Sequence, residues 1–203
     1  MNFRQAAVLL SFLALAPSAF AASTSNLDGL KFLSPGTIIA GPQKAVLTIE
    51  EYADFECPYC SRGPALIEQS LADYPGKINF IFRNMPLSRI HSHALEAAKA
   101  FSAVMIQSPS LAYVYQNELF KNQAQLESKG ETLLFDIAQK LGIDLVKMKA
   151  DMNGPEVAKI LGDDEAAVKA HHFQGTPSFV IGTKSISGAY PYADFKKIID
   201  QQL

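Results

Sequence analysis

Two stretches in the first half of the chain are apolar enough to predict strands near the centre of a sheet. The run from Ala45 to Tyr52 is nearly continuous in apolar and β-branched residues, as in a strand covered on both faces. Residues 77–83 begin by alternating apolar and polar side chains and predict a second strand. Leu66, Ile67 and Leu71 recur between them at helical spacing. The pattern predicts a strand–helix–strand unit, for which a right-handed parallel crossover is the default.

The middle of the chain, from Met85 to about Phe173, has helical periodicity and no strand pattern. Apolar stripes at helical spacing predict five helices, three of which end at residues that commonly close helices, namely Ser108-Pro109, Gly142 and Asn153-Gly154. The five stripes begin near Ala94, Leu111, Leu133, Leu145 and Pro155. We therefore expect an all-helical block between the early strands and the end of the chain.

Strand character returns near the end of the chain. Residues 178–181 and 184–187 are separated by Gly182-Thr183 and predict a β-hairpin. A last helix is predicted from Tyr192 to Gln202, and a short first strand at Thr37–Ile39. The fold class is therefore α/β, with the order strand–helix–strand, helical block, hairpin and helix.

The N-terminus has the composition of an export signal. Arg4 supplies a positive charge, residues 6–16 are uncharged, and Ala19-Phe20-Ala21 fits a small-x-small cleavage site. The apolar run is short for a membrane span, which favours a cleaved signal over an uncleaved anchor. We predict a signal peptide over residues 1–21, cleaved after Ala21.

Charge and length narrow the classes of function. The formal net charge is −2, and the 18 basic and 20 acidic residues are interspersed without long runs. The pattern therefore predicts neither a nucleic-acid surface nor a membrane-binding helix. The remaining length suits one domain with a substantial core, or a domain with a large insertion.

The chain has only two cysteines, Cys57 and Cys60, where the first central strand gives way to a helix. A disulfide between them closes a very small loop and adds little stability, so redox chemistry is the better interpretation. We expect the helix to open at Cys57, whose thiol pKa is then lowered by unpaired backbone N–H groups and the helix dipole. Cys57 should be the exposed nucleophile, and Cys60 the more buried thiol that resolves a mixed disulfide.

Two segments, Val46–Cys60 and Gly175–Phe179, together resemble the DsbA-like thiol:disulfide oxidoreductases of the bacterial envelope. That family has a thioredoxin fold with an inserted helical domain, so the resemblance covers nearly the whole chain after the signal. It implies a periplasmic protein without a cofactor. It also implies one DsbA-like domain over residues 22–203, with thioredoxin-fold parts at about 37–84 and 174–203 and a helical insertion at about 85–173.

The resemblance also implies roles for four further residues. Pro177 would form a cis peptide bond beside the cysteines, and Thr176 and Tyr59 would help to tune the redox potential and contact substrate. Glu51 lies six positions before Cys57, where relatives place a buried acid that relays a proton to the resolving cysteine. The simpler alternatives are a strand-entry turn at Thr176-Pro177 and a solvated acid at position 51.

Three functions stay open. The first is an oxidase that passes its disulfide to reduced or unfolded exported proteins and is recycled by a membrane redox partner. The second is a reductase or isomerase that a membrane partner keeps reduced. Its relatives normally carry an N-terminal dimerisation module, so the short segment from Ala22 to Lys44 favours a monomer and the oxidase.

The third function is a metal-binding or chaperone protein. His91, His93 and the His171-His172 pair do not have the spacing of a structural zinc site, and we predict no metal. Cys-Pro-Tyr-Cys also occurs in glutaredoxins, but the export signal and the helical block argue against that family.

Overall fold

A four-stranded mixed sheet forms the centre of the protein, in a computed structural model that describes residues 39–42 and 44–203. The strand order is β2–β1–β3–β4, and β1 pairs parallel with β2 and antiparallel with β3. β3 and β4 form the predicted hairpin. The strands are β1 Leu47–Ala53, β2 Ile78–Asn84, β3 Ser178–Ile181 and β4 Lys184–Ser187. The predicted signal peptide lies outside the described residues.

The helices follow the predicted order, with one addition. They are α1 Gly63–Asp73, α2 Ala94–Gln107, α3 Pro109–Lys121, α4 Gln123–Lys129, α5 Glu131–Lys140, α6 Leu145–Asp151, α7 Pro155–Ala170 and α8 Tyr192–Gln202. Helices α2 to α7 all lie between β2 and β3 in sequence. α4 was not predicted, because Leu126 is its only buried residue and a single position makes no stripe. No helix in the described ranges is both long and apolar enough to cross a bilayer.

The start of the first helix differs from the prediction. The α-helix begins at Gly63 rather than at Cys57, and a 3-10 turn at Cys60–Arg62 precedes it. Pro64 explains the change, because it has no N–H to donate to the Cys60 carbonyl four residues earlier. The Gly63 N–H bonds that carbonyl instead, in the i→i−3 pattern of a 3-10 helix.

The outer edge of β2 is covered by a short segment at the start of the described chain. Phe80 donates its N–H to the Ala40 carbonyl at 2.8 Å, and Ile39 donates to the Phe80 carbonyl at 3.0 Å. Gly41 follows with φ +95°, and a Cβ there would lie 2.2 Å from the Ile78 carbonyl oxygen. Only glycine fits this close approach. Of the strand predicted at residues 37–39, only Ile39 lies in the described part.

A buried polar cluster joins the helical block to the sheet. Arg83 on β2 lies 2.9 Å from the Glu50 carboxylate on β1 and 3.3 Å from the Asp164 carboxylate on α7. The Asp164 carboxylate also accepts hydrogen bonds from the backbone N–H and the side-chain amide of Asn84, both at 2.9 Å. α7 is therefore fixed to the sheet by an ion pair and hydrogen bonds as well as by apolar packing.

Candidate active site

The two cysteines lie in the turn that follows β1, and both are free thiols. The Cys57 N–H donates to the Asp54 carbonyl at 3.1 Å, and the Cys60 N–H donates to the Cys57 carbonyl at 3.0 Å. Cys57 is 5 % exposed and Cys60 is fully buried. The prediction of an exposed Cys57 is wrong in degree, because the Thr176 carbonyl oxygen lies 3.5 Å from its sulfur. As expected, Cys57 is more accessible to solvent than Cys60.

The two thiols have pKa values shifted in opposite directions. A hydrogen bond from the Cys60 thiol, with further bonds from the backbone N–H groups of Tyr59 and Cys60, lowers the pKa of Cys57 to about 5 against the opposing effect of burial. Burial raises the pKa of Cys60, and its hydrogen bond to Cys57 raises it further. At neutral pH the pair therefore holds one thiolate, on Cys57, and one thiol, on Cys60.

The source of the Cys57 shift differs in part from the sequence argument. The α-helix starts at Gly63, six residues after Cys57, so the Cys60 thiol and the backbone N–H groups that lower the pKa of Cys57 belong to the tight turn 57–60. Local N–H groups and the second thiol stabilise the thiolate, where a helix dipole was expected. Hydrogen bonds to a charged group are among the strong ones, which accounts for the size of the shift.

The segment before β3 faces the cysteines. The Thr176–Pro177 peptide bond is cis, and the Thr176 carbonyl contacts Cys57. Thr176 Oγ1 is buried and has no hydrogen-bond partner in the described part of the chain. Tyr59, between the cysteines, is 59 % exposed. The structure thus brings Thr176 to the dithiol and leaves Tyr59 on the surface next to it.

Glu51 is fully buried on β1, and neither of its carboxylate oxygens has a hydrogen-bond partner among the described residues. Its register partners are Phe82 on β2 and Phe179 on β3. Desolvation by burial raises the pKa of Glu51 to about 8, so the side chain keeps its proton at neutral pH. The alternative of a solvated acid at this position is wrong.

Gly63 is a site residue that the sequence did not reveal. A Cβ built there would lie 1.9 Å from Glu51 Oε1, so the first residue of α1 gives the carboxyl its space. The sequence alone predicts no role for Gly63. No local signal links it to a residue twelve positions earlier on a strand.

Two acids beside Cys57 hold the site loop against the segment between β2 and α2. The buried Asp54 carboxylate accepts from the Glu56 N–H at 2.8 Å, the Leu87 N–H at 2.7 Å and His91 Nδ1 at 2.8 Å. Glu56 Oε2 accepts from the His93 N–H at 2.6 Å. His91 is thus part of the loop contacts. In the described ranges, no three His, Cys, Asp or Glu side chains converge as a metal site would require.

The chain matches the Thioredoxin family over residues 33–201, which is most of its length, and it belongs to that family. Among solved structures it is similar to a thioredoxin-like oxidoreductase from Silicibacter pomeroyi DSS-3, with a TM-score of 0.69 and 25% identity, over 83% of this chain and 92% of that one. The thiol-disulfide exchange protein alpha-DsbA2 from Wolbachia pipientis gives a TM-score of 0.71 at 22% identity, over 89% and 94%.

BdbD from Bacillus subtilis gives a TM-score of 0.71 at 22% identity, over 87% of this chain and 94% of BdbD. The similarity to these structures confirms the predicted thioredoxin fold with its inserted helices.

Curated relatives share sequence with this chain over only part of their own length. A protein named Na(+)/H(+) antiporter NhaA from Herminiimonas arsenicoxydans is 30% identical over 152 residues, which is 75% of this chain and 23% of the relative. An NhaA 3 from Salinispora tropica is 29% identical over 152 residues, or 75% and 22%. This chain spans less than a third of each of these longer proteins, so the similarity concerns one segment of them.

Proposed function

We propose that this protein is an exported dithiol oxidase that passes a Cys57–Cys60 disulfide to reduced or unfolded exported proteins. The observation that carries the proposal is the pair of free thiols in the turn after β1, with the Thr176 carbonyl against Cys57, an arrangement in which the pKa of Cys57 is lowered to about 5. A thiolate stabilised in this way favours the reduced dithiol over the disulfide, which makes the disulfide a better oxidant. The thioredoxin-family match and the DsbA-like neighbours support the same chemistry.

The proposed reaction has two exchange steps. A substrate thiolate attacks the sulfur of Cys57 in the oxidised protein, the Cys57–Cys60 bond breaks, and Cys60 leaves with the electron pair and takes up a proton. A second substrate thiolate then attacks the substrate sulfur of this mixed disulfide and releases Cys57 as a thiolate. The substrate has lost two electrons and the dithiol has gained them. A thiol of low pKa is a good leaving group, which favours the second step.

Glu51 is the proposed source of the proton for Cys60. Its pKa of about 8 keeps it protonated at neutral pH, and the raised pKa of Cys60 makes the departing thiolate a strong base. Gly63, three residues after Cys60, lies against the Glu51 carboxyl. The proposed relay would therefore connect β1 to the start of α1.

Substrate contact is assigned to Tyr59, Thr176 and Pro177. Tyr59 offers an exposed aromatic surface beside Cys57, and Thr176 already contacts the Cys57 sulfur through its carbonyl. Pro177 has no N–H and begins the segment that leads into β3. An extended substrate segment could pair beside it through main-chain hydrogen bonds.

The cellular setting is part of the proposal. We propose export through the signal peptide at residues 1–21, a monomeric periplasmic protein of residues 22–203, and recycling by a membrane redox partner that removes the two electrons. Within that domain, the thioredoxin-fold parts at about 37–84 and 174–203 carry the site, and the insertion at about 85–173 covers it. No cofactor or metal is part of this mechanism.

Thiol trapping in cells tests the direction of electron flow. We expect Cys57 and Cys60 to be trapped mainly as a disulfide, with a Cys60→Ser variant accumulating mixed disulfides through Cys57 and a Cys57→Ser variant accumulating none. A dithiol trapped mainly as thiols would contradict the oxidase and favour the reductase or isomerase. Recovery of activity from a scrambled multi-disulfide substrate, without added oxidant, would favour the isomerase in particular.

A further inference from the structure

A side chain from the helical block contacts the backbone of the catalytic turn. Gln123 is the first residue of α4, and its Nε2 donates to the Phe55 carbonyl and to the Cys57 carbonyl, both at 2.8 Å. Only the nitrogen of the amide can face two carbonyl oxygens, which fixes the orientation of the group. Gln123 is partly buried and lies in the wall of a groove of about 380 Å³ beside Pro58.

The carbonyl that Gln123 holds is also part of the turn that surrounds the sulfur. The Cys57 carbonyl accepts the Cys60 N–H at 3.0 Å, which closes the turn 57–60. The backbone N–H groups of Tyr59 and Cys60, which lower the pKa of Cys57, belong to this turn. Fixing the oxygen of Cys57 therefore fixes the direction in which these donors point relative to its sulfur.

Other contacts on this loop act elsewhere. Asp54 and Glu56 accept hydrogen bonds from the segment between β2 and α2, but neither carboxylate binds the backbone of Cys57. In the described part of the chain, Gln123 is the one side chain hydrogen-bonded to the Cys57 main chain. In the described residues, the side-chain amide of Gln123 is thus the hydrogen-bonding link between the helical block and the main chain of Cys57.

We propose that Gln123 is a positioning residue for the exchange reaction, which holds Cys57 from the helical block in the conformation that reacts. This inference rests on the thiol–disulfide chemistry proposed above. It assigns α4, a helix of seven residues with one buried apolar side chain, a task at the dithiol.

The test is Gln123→Glu, with Gln125→Glu as the matched control. Glutamate keeps the shape of the side chain, but its carboxylate cannot donate and would face two carbonyl oxygens. Gln125 lies two residues further along α4 and is exposed, and among the described residues its side chain is hydrogen-bonded to Asn122 and Lys129. The control therefore makes the same change of charge away from the loop. Gln123→Leu removes the donor without adding a charge.

The readouts are the ultraviolet absorbance of the Cys57 thiolate against pH and the rate of alkylation of Cys57 in the reduced protein. We expect Gln123→Glu to raise the pKa of Cys57, with alkylation about fivefold slower near pH 5 and equal or slightly faster near pH 8, where both proteins hold a full thiolate. Gln123→Leu should change in the same direction by less, and Gln125→Glu should match the unmodified protein.

Two results would overturn the inference. One is an identical pH profile for Gln123→Glu and Gln125→Glu. The other is a lower melting temperature for Gln123→Glu without any change in the profile, which would make the contact purely structural. Failure of the proposed function is a separate result, because it appears as an unmodified protein that cannot oxidise a reduced peptide, whatever the Gln123 variants do.

Discussion

Glu51 is a fully buried acid, and neither of its carboxylate oxygens has a hydrogen-bond partner among the described residues. A fully buried carboxyl without a hydrogen-bond partner is costly to ionise, and the raised pKa is the measure of that cost. Proteins tolerate such a group mainly where its proton has a use, which makes Glu51 a functional candidate on physical grounds as well as by resemblance.

The pH dependence of stability tests this assignment. The folded pKa of Glu51, about 8, lies above its ordinary value of 4.5, so its stabilising effect is complete below 4.5 and is lost as pH rises toward 8. In that window each pH unit should lower the free energy of unfolding by about 1.4 kcal/mol relative to Glu51→Gln. Denaturant titrations of both proteins at several pH values measure the difference.

The comparison needs a background without the thiols. The pKa of Cys57 is lowered from 9.0 to about 5, so its contribution is present above 9.0 and is lost as pH falls through 5, in the opposite sense to Glu51. Replacing both cysteines by serine in both proteins removes this effect. A constant difference between the two proteins from pH 5 to about 8 would show that Glu51 titrates as an ordinary acid.

Gly63 shows how one element shapes another at this site. The start of α1 packs so closely on β1 that a methyl group at position 63 would meet the Glu51 carboxyl. Glycine is normally unfavourable inside a helix by about 1 kcal/mol relative to alanine, so its presence at the first turn needs a reason. The space required by Glu51 is that reason.

We therefore expect Gly63→Ala to destabilise the protein by about 1–3 kcal/mol, because the carboxyl must leave its place. Gly162→Ala on α7 is the control: a Cβ there meets no atom within 4 Å, and the change should stabilise by about 0.5–1 kcal/mol. Thermal and denaturant unfolding measure both. In a double-mutant cycle, Glu51→Ala should remove most of the cost of Gly63→Ala, and simple additivity would contradict the proposed contact.

The elements themselves were largely predictable from the sequence, and the reasons are local. Each of these elements has an apolar pattern that is visible within its own stretch of sequence. This holds for β1 and for the helices α2, α3, α5, α6 and α7. The start of α1 was misplaced at Cys57 because the prediction did not take account of the missing N–H of Pro64. Its actual effect is to replace the α-helical hydrogen bond with a 3-10 one.

The site was predictable only where its residues share a motif. Cys57, Cys60 and Thr176-Pro177 belong to two short segments whose combination is typical of one protein family. Gln123 acts through hydrogen bonds to backbone carbonyls far away in sequence, and Gly63 acts through its close approach to Glu51 on β1. A single glutamine or glycine forms no sequence pattern that would predict such a contact. Such contacts depend on how α4 and α1 dock, which periodicity does not specify.

The stability of the whole molecule depends on how the helical block is attached to the sheet. Arg83, Asp164 and Asn84 join β2 to α7 in a site where Asp164 is only 3 % exposed. Removing Asp164 from this cluster leaves the buried Asn84 N–H without its acceptor, which costs more than the hydrogen bond itself contributes. The attachment is therefore sensitive to single substitutions.

Asp164→Ala should lower the free energy of unfolding by about 1–3 kcal/mol, because the buried Asn84 N–H loses its acceptor while Arg83 keeps its ion pair with Glu50. The neighbouring Asp163→Ala breaks only an exposed ion pair with Lys159 and should change stability by less than about 0.5 kcal/mol. Denaturant unfolding of the two variants provides the comparison. Equal losses would mean that the cluster adds nothing beyond the propensity of the helix.

The distance along the chain between the parts of the site has a consequence for biosynthesis. Cys57 and Cys60 emerge early, whereas Gln123 follows more than sixty residues later and Thr176-Pro177 lies within the last thirty. A chain delivered with its N-terminus first therefore carries two unshielded cysteines until these later residues follow. Neither the amide on Cys57 nor the Thr176 carbonyl is in place before then. The nascent protein resembles one of its own proposed substrates, and it gains its distinctive thiol chemistry only when its last strands join the sheet.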